Sequence, residues 1–176
     1  MEDTAMHREL GEIPGVGEAL AFVNDAYRTR LRRRGRTVDH PVAVGRLLAD
    51  DGQPPKVVVA GILHDVLEDT DTTSGELRDV FGSDVARLVD ALTQDPSIRK
   101  YRDRKAALRE QIVDAGPDAA AVSLADKVAK LRSAQSRPAK RKLNHYCETV
   151  RGIERRYGHS QLSALLHEQL DRWCDG

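Results

Sequence analysis

Between Gly61 and Thr70 the chain reads GILHDVLEDT, which puts the imidazole of His64 and the carboxylates of Asp65, Glu68 and Asp69 into six residues directly behind a run of valines. At ~100° per residue, positions 64, 65, 68 and 69 fall within one arc of a continuous helix, because 64/68 and 65/69 are four apart and 65/68 three apart. The valine-rich side packs inward, so the polar arc either lines a cavity or binds something that neutralises three carboxylates. A divalent cation does both and accepts a mixed nitrogen and oxygen ligand set. The plainer alternative is a solvated helix end, with Glu68 and Asp69 in water and His64 as a packing residue. Two other positions weigh against it. His40 sits at a predicted helix start, and Asp126 interrupts the apolar stretch AAAVSLAD, where a carboxylate is costly without a partner. The partner that this pattern points to is the metal.

The elements that must carry these residues read as helices joined by short loops, with no repeat and no low-complexity segment. Leu20, Val23, Ala26, Tyr27 and Leu31 recur at helical spacing over residues 17–34, and Gly35 stops that helix. A second helix is predicted from Pro41 with Asp39 as its cap, and a third from Lys56 to Asp69 behind Pro54-Pro55. Thr73-Ser74-Gly75-Glu76 fits a capping box for a short helix ending at Gly82. Helices over 84–94, 98–114, 118–134, 138–157 and 160–174 complete an all-α chain of about eight to nine helices, with no linker long enough to divide residues 1–176 into domains.

The order His40, His64-Asp65, Asp126 resembles the H…HD…D metal signature of the HD-domain phosphohydrolase superfamily. More narrowly, VDHPVAVGRLLA, AGILHDVLEDTDTT, ELRDVFGSDVARLVDALT and SLADKVAKLRS are similar to the hydrolase domain of RelA/SpoT-type alarmone enzymes and of small stand-alone hydrolases of the metazoan SpoT-homologue type, over residues 18–135. The resemblance implies a single HD-domain helical bundle in which His40, His64, Asp65 and Asp126 bind one Mn²⁺. It further implies Glu68 and Asp69 as the catalytic pair, Glu68 orienting or deprotonating the attacking water and Asp69 either assisting it or standing one residue behind the ion and its ligands. The implied reaction is hydrolysis of the 3′-pyrophosphate of (p)ppGpp to GDP or GTP and pyrophosphate. The alternatives are a phosphohydrolase for another phosphorylated nucleotide, or a catalytically idle alarmone-binding module.

On the substrate side, Arg28, Arg30, Arg32, Arg33, Arg34 and Arg36 place six arginines in nine residues. Alone, such a run is a solvated helix face or a weak nucleic-acid patch. By resemblance, Arg32 and Arg33 align with a segment that stacks on the guanine base and meets phosphate. The family reads LADRLHN or LADKLxN where this chain has LADKVAK, so an asparagine contact to the nucleoside becomes Lys130, which cannot accept a hydrogen bond and adds charge. Lys127 and Ser133 complete the expected substrate contacts. Tyr101, Arg102 and Arg104 read as solvated, and His7, His145, His159 and His167 as surface or capping residues.

Lys+Arg 28 balances Asp+Glu 28, so the molecule carries no overall field to attract nucleic acid or an acidic membrane surface. No apolar run approaches the ~18 residues of a membrane span, and nothing resembles a signal peptide. Two cysteines, Cys147 and Cys174, are too few for a disulfide scaffold, and the expected location is cytoplasmic. The paired amphipathic helices after residue 135 either cover the domain or form a homo-oligomer interface.

Overall fold

The computed structural model describes residues 10–30 and 35–174. Among the described residues ten helices run in order: α1 Val16–Thr29, α2 Asp39–Asp50, α3 Pro55–Leu63, α4 Val66–Asp69, α5 Ser74–Phe81, α6 Ser83–Leu92, α7 Tyr101–Ala115, α8 Pro117–Arg132, α9 Lys140–Tyr157 and α10 Gln161–Cys174. The all-α reading holds. Among the described residues no helix is long and apolar enough to cross a membrane.

Two helices form the axis of the bundle. Every residue of α3 from Val57 to Leu63 is buried, and α3 packs against α1, α2, α6 and α8. Residues 119–129 of α8 are buried all round, with α2, α6, α7, α9 and α10 as further neighbours. A helix with no solvated face belongs in the interior, and the alanines at 119–121, 125 and 129 keep α8 thin enough for several neighbours to approach. One continuous apolar core runs from Leu10 to Leu170, and Trp173 packs half-buried against it. Where α2 crosses α3 the surfaces meet at glycine: a Cβ on Gly61 would lie 2.2 Å from Leu48 Cδ1, and one on Gly45 2.8 Å from Ile62 Cγ1.

The punctuation is partly as expected. Pro55 opens α3, and Thr73 and Glu76 form a complete capping box at the start of α5. Three expectations need correction. The first helix stops at Thr29, where the Arg30 amide bonds to the Ala26 carbonyl. Asp39 is the first residue of α2 and not its cap; Val38 occupies the cap position, and the Asp39 carboxylate accepts the Thr37 hydroxyl at 2.7 Å. The predicted helix over 56–69 is broken at His64-Asp65. There the Gly61 carbonyl, which an uninterrupted helix would give to the Asp65 amide, accepts His64 Nδ1 at 2.7 Å. A side chain has displaced the backbone from its own ladder, and the four titratable groups no longer share one arc.

Candidate functional site

Three elements deliver the central cluster. His40 stands in the first turn of α2, His64 and Asp65 fill the break between α3 and α4, and Asp126 projects from the middle of α8. One ligand atom from each of these four residues lies within 4.8 Å of every other. His40 Nε2 and His64 Nε2 approach Asp126 Oδ1 at 3.0 and 3.1 Å, and His64 Nε2 is 3.2 Å from Asp65 Oδ1. Because a carbonyl can only accept, Nδ1 of His64 carries a proton toward Gly61, which leaves Nε2 to face the carboxylates.

The electrostatics are those of a concentrated anion pair. Burial pulls the His64 imidazole down, but the carboxylates of Asp65 and Asp126 outweigh it and hold it up at about 10. Burial opposes ionisation of Asp65 and Asp126, yet the neighbouring cations keep both below the ordinary carboxylate range. Asp65 Oδ2 is buried without a hydrogen bond; the nitrogens nearest to it, from Arg36, His40 and Lys130, stand off at 3.9, 4.0 and 3.9 Å. A buried carboxylate oxygen in that condition, beside two imidazole nitrogens and a second carboxylate, fits the donor set for a divalent cation.

The cluster opens into a cavity of about 260 Å³, whose wall includes Glu68, Tyr101, Lys105, Lys127, Lys130 and Lys142. Four ammonium groups around a carboxylate cluster suit an anionic ligand whose reacting end meets a cation. Glu68 accepts from the Gln94 amide and from Gln94 Nε2, both at 2.9 Å, so both its oxygens act as acceptors at the cavity edge. Burial pushes the Lys127 ammonium down to about 8; its Nζ donates to the Ser123 hydroxyl at 2.9 Å.

The expected residues therefore divide. His40, His64, Asp65, Asp126, Glu68, Lys127 and Lys130 come together. Asp69 turns away from the cavity; it is buried and paired with Arg36, Nε to Oδ2 at 2.8 Å. Ser133 is exposed beyond the cavity and donates to the Lys130 carbonyl at 3.3 Å. Arg32 and Arg33 lie outside the described residues. Arg34 lies outside them as well, and the described arginines of the run point to different partners: Arg28 pairs with Asp25, Arg30 with Glu76 and Arg36 with Asp69.

Sequence reasoning missed several members of the wall. Tyr101 lines the cavity, and Arg104 is not simply solvated: it bonds Gln94 Oε1 at 3.1 Å, behind Glu68. His145 is buried on the cavity wall, which corrects its assignment to the surface; Arg109 Nη1 donates to its Nδ1 at 3.0 Å. Lys142 and Tyr146, four apart on α9, also face inward, and the Tyr146 ring lies 5.6 Å from Lys127 Nζ. Only the helical spacing of Lys142 and Tyr146 could have paired them in advance. His159 and His167 both pair with Glu154, near the α9–α10 junction.

Comparison with known proteins places this geometry. The HD domain family model matches residues 19–151. A Danio rerio protein, guanosine-3′,5′-bis(diphosphate) 3′-pyrophosphohydrolase MESH1, is 41% identical over 97 residues, 54% of this chain and 53% of its own length. The Mus musculus protein of the same name is 41% identical over 120 residues, 65% of this chain and 66% of its own. The matched stretch thus spans about half to two thirds of these relatives. A solved structure of a metazoan SpoT ortholog that hydrolyses ppGpp superposes with a TM-score of 0.72 at 26% identity, covering 89% of this chain and 93% of that one.

Proposed function

The chain belongs to the HD domain family, and from that premise we propose that it is a metal-dependent phosphohydrolase that removes the 3′-pyrophosphate of (p)ppGpp. The observation that carries this reading is the convergence of His40, His64, Asp65 and Asp126 at one end of a cavity walled by four lysines. The names of the relatives at 41% identity support the substrate.

The four clustered residues would hold the ion, with Mn²⁺ as the first choice. A divalent cation there supplies positive charge to a phosphate oxygen and acidifies the attacking water. The protein's own groups do the rest. Lys105, Lys127 and Lys142 draw the phosphate groups into the cavity and orient them. Glu68, fixed by two bonds from Gln94, takes the proton of the water. Asp69 acts at one remove, as the residue that positions Arg36 beside Asp65.

A second reading, hydrolysis of another phosphorylated nucleotide, is favoured by one observation: an ammonium, Lys130, stands at the cluster where the family signature has an asparagine. Both readings are tested by incubating the purified protein with ppGpp and a panel of other nucleotides, in Mn²⁺ and after chelation. Release of GDP and pyrophosphate from ppGpp, abolished by chelation and by His64→Ala or Asp126→Ala, is the expected result. Turnover of a different nucleotide alone moves the substrate. Full activity of Asp126→Ala removes the metal assignment.

A further inference from the structure

Three nitrogen groups crowd a single oxygen. Asp126 Oδ1 lies 3.0 Å from His40 Nε2, 3.1 Å from His64 Nε2 and 2.7 Å from Lys130 Nζ. Lys130 Nζ is also 3.9 Å from Asp65 Oδ2, the buried oxygen that has no hydrogen bond. Lys130 thus delivers a positive charge to the same two carboxylates that would ligate an ion.

An ammonium at 2.7 Å and a divalent cation compete for Asp126 Oδ1, since each draws on the same few lone pairs and the two charges repel strongly at such separation. Lys130 follows Asp126 by one turn of α8, and its flexible four-carbon stem allows the head group to swing without any change in the helix. The direction of that swing is set by the fold. Lys130 already lines the cavity together with Lys105, Lys127 and Lys142, and its side chain retains 28% exposure.

Resting on the metal reading above, we propose that Lys130 is the resident counter-ion of the cluster and that an entering divalent cation displaces its ammonium into the cavity, where it meets the anionic substrate. Two consequences follow from the geometry. The four ligand residues are held together before the ion arrives, because Lys130 offsets the repulsion of Asp65 and Asp126. The ion in turn must displace a bound cation, so its affinity is lower than the ligand set alone would give, and the cavity gains a free ammonium only once the ion is in place.

The test uses the full chain stripped of metal with a chelator. Mn²⁺ is titrated by calorimetry into the wild type and into Lys130→Met, and acetylation of Lys130 by acetic anhydride is followed by mass spectrometry with chelator and with saturating Mn²⁺. Removing an opposing charge in contact with a ligand should tighten Mn²⁺ binding roughly tenfold or more. Acetylation of Lys130 in the wild type should rise several-fold with Mn²⁺, while that of the half-exposed Lys56 stays constant. Equal affinity of the two proteins, or labelling that ignores the metal, overturns the counter-ion role and leaves the metal reading intact. Absence of Mn²⁺ binding by both proteins removes the two together. The labelling arm needs no variant, so a Lys130→Met protein that fails to fold does not spare the proposal.

Discussion

The Arg36 guanidinium closes on Asp69 with Nε 2.8 Å from Oδ2 and Nη2 3.3 Å from Oδ1, and its Nη1 reaches to 3.9 Å from Asp65 Oδ2. Asp69 is 1% exposed, whereas its neighbour Glu68 faces the cavity. Of two adjacent carboxylates, one therefore meets the ligand space and the other holds an arginine in place.

The pair should behave as a unit. Asp69→Ala leaves a guanidinium without its buried partner, and Arg36→Ala leaves a buried carboxylate; each is expected to cost about 2–4 kcal/mol of stability. In a double-mutant cycle by urea denaturation the two losses should fall short of additivity by at least about 1 kcal/mol. Additive losses would show that Asp69 is held by other groups and that Arg36 is not its principal partner.

Glu68→Gln separates proton transfer from metal binding. The amide keeps the size of Glu68 but presents an NH₂ to one of the two Gln94 donors and can no longer take a proton from water. Turnover should fall by about 10²-fold or more, with Mn²⁺ affinity by calorimetry unchanged. Loss of Mn²⁺ binding would instead place Glu68 among the ligands.

The legible part of this protein was what repeats with a period or sits in a short motif. Valine and alanine runs gave the two interior helices, and Pro55, Thr73 and Glu76 marked helix starts that the structure keeps. Asp126 could be selected because it interrupts an apolar stretch, His64 and Asp65 because they crowd titratable groups behind a valine run, and His40 by its place at a helix start. The break at His64 was not legible, since it depends on an imidazole taking a carbonyl three residues back, a choice that helical periodicity does not encode. Nor were Lys105, Lys142, His145 and Tyr146, whose approach to Asp126 depends on how α7 and α9 pack across α8. The continuous-helix pattern put Asp69 on the same face as Asp65, whereas the break at His64-Asp65 turns its carboxylate to Arg36.

Gly61 is where packing and site meet. A Cβ there would stand 2.2 Å from Leu48 Cδ1 and 3.3 Å from Val44 Cγ1, both of which belong to fully buried side chains with nowhere to retreat. Gly61→Ala should therefore destabilise the protein by about 1–3 kcal/mol despite the better helix propensity of alanine. Since His64 is anchored to the Gly61 carbonyl, Mn²⁺ affinity should weaken as α3 shifts. Unchanged urea stability would mean that α2 and α3 part at no cost.

His145 predicts the acid limb of the stability curve. Burial first, and then the charges of Lys127, Lys105 and Arg109, push its imidazole from 6.5 down to about 2, and Arg109 holds Nδ1 as an acceptor. Between these two values the unfolded chain takes up a proton that the native state refuses. The unfolded form is thus favoured as pH falls from 6.5, and the penalty is complete only below about 2. His145→Gln removes this term and keeps a side chain that can accept from Arg109. Carboxylates titrate alike in both proteins, so the stability difference between wild type and variant isolates the histidine. That difference should move against the wild type by about 2 kcal/mol between pH 7 and pH 5, read from urea midpoints at each pH. Parallel curves over this range would mean that native His145 accepts a proton as readily as the unfolded chain does, and that Arg109 gives way to it.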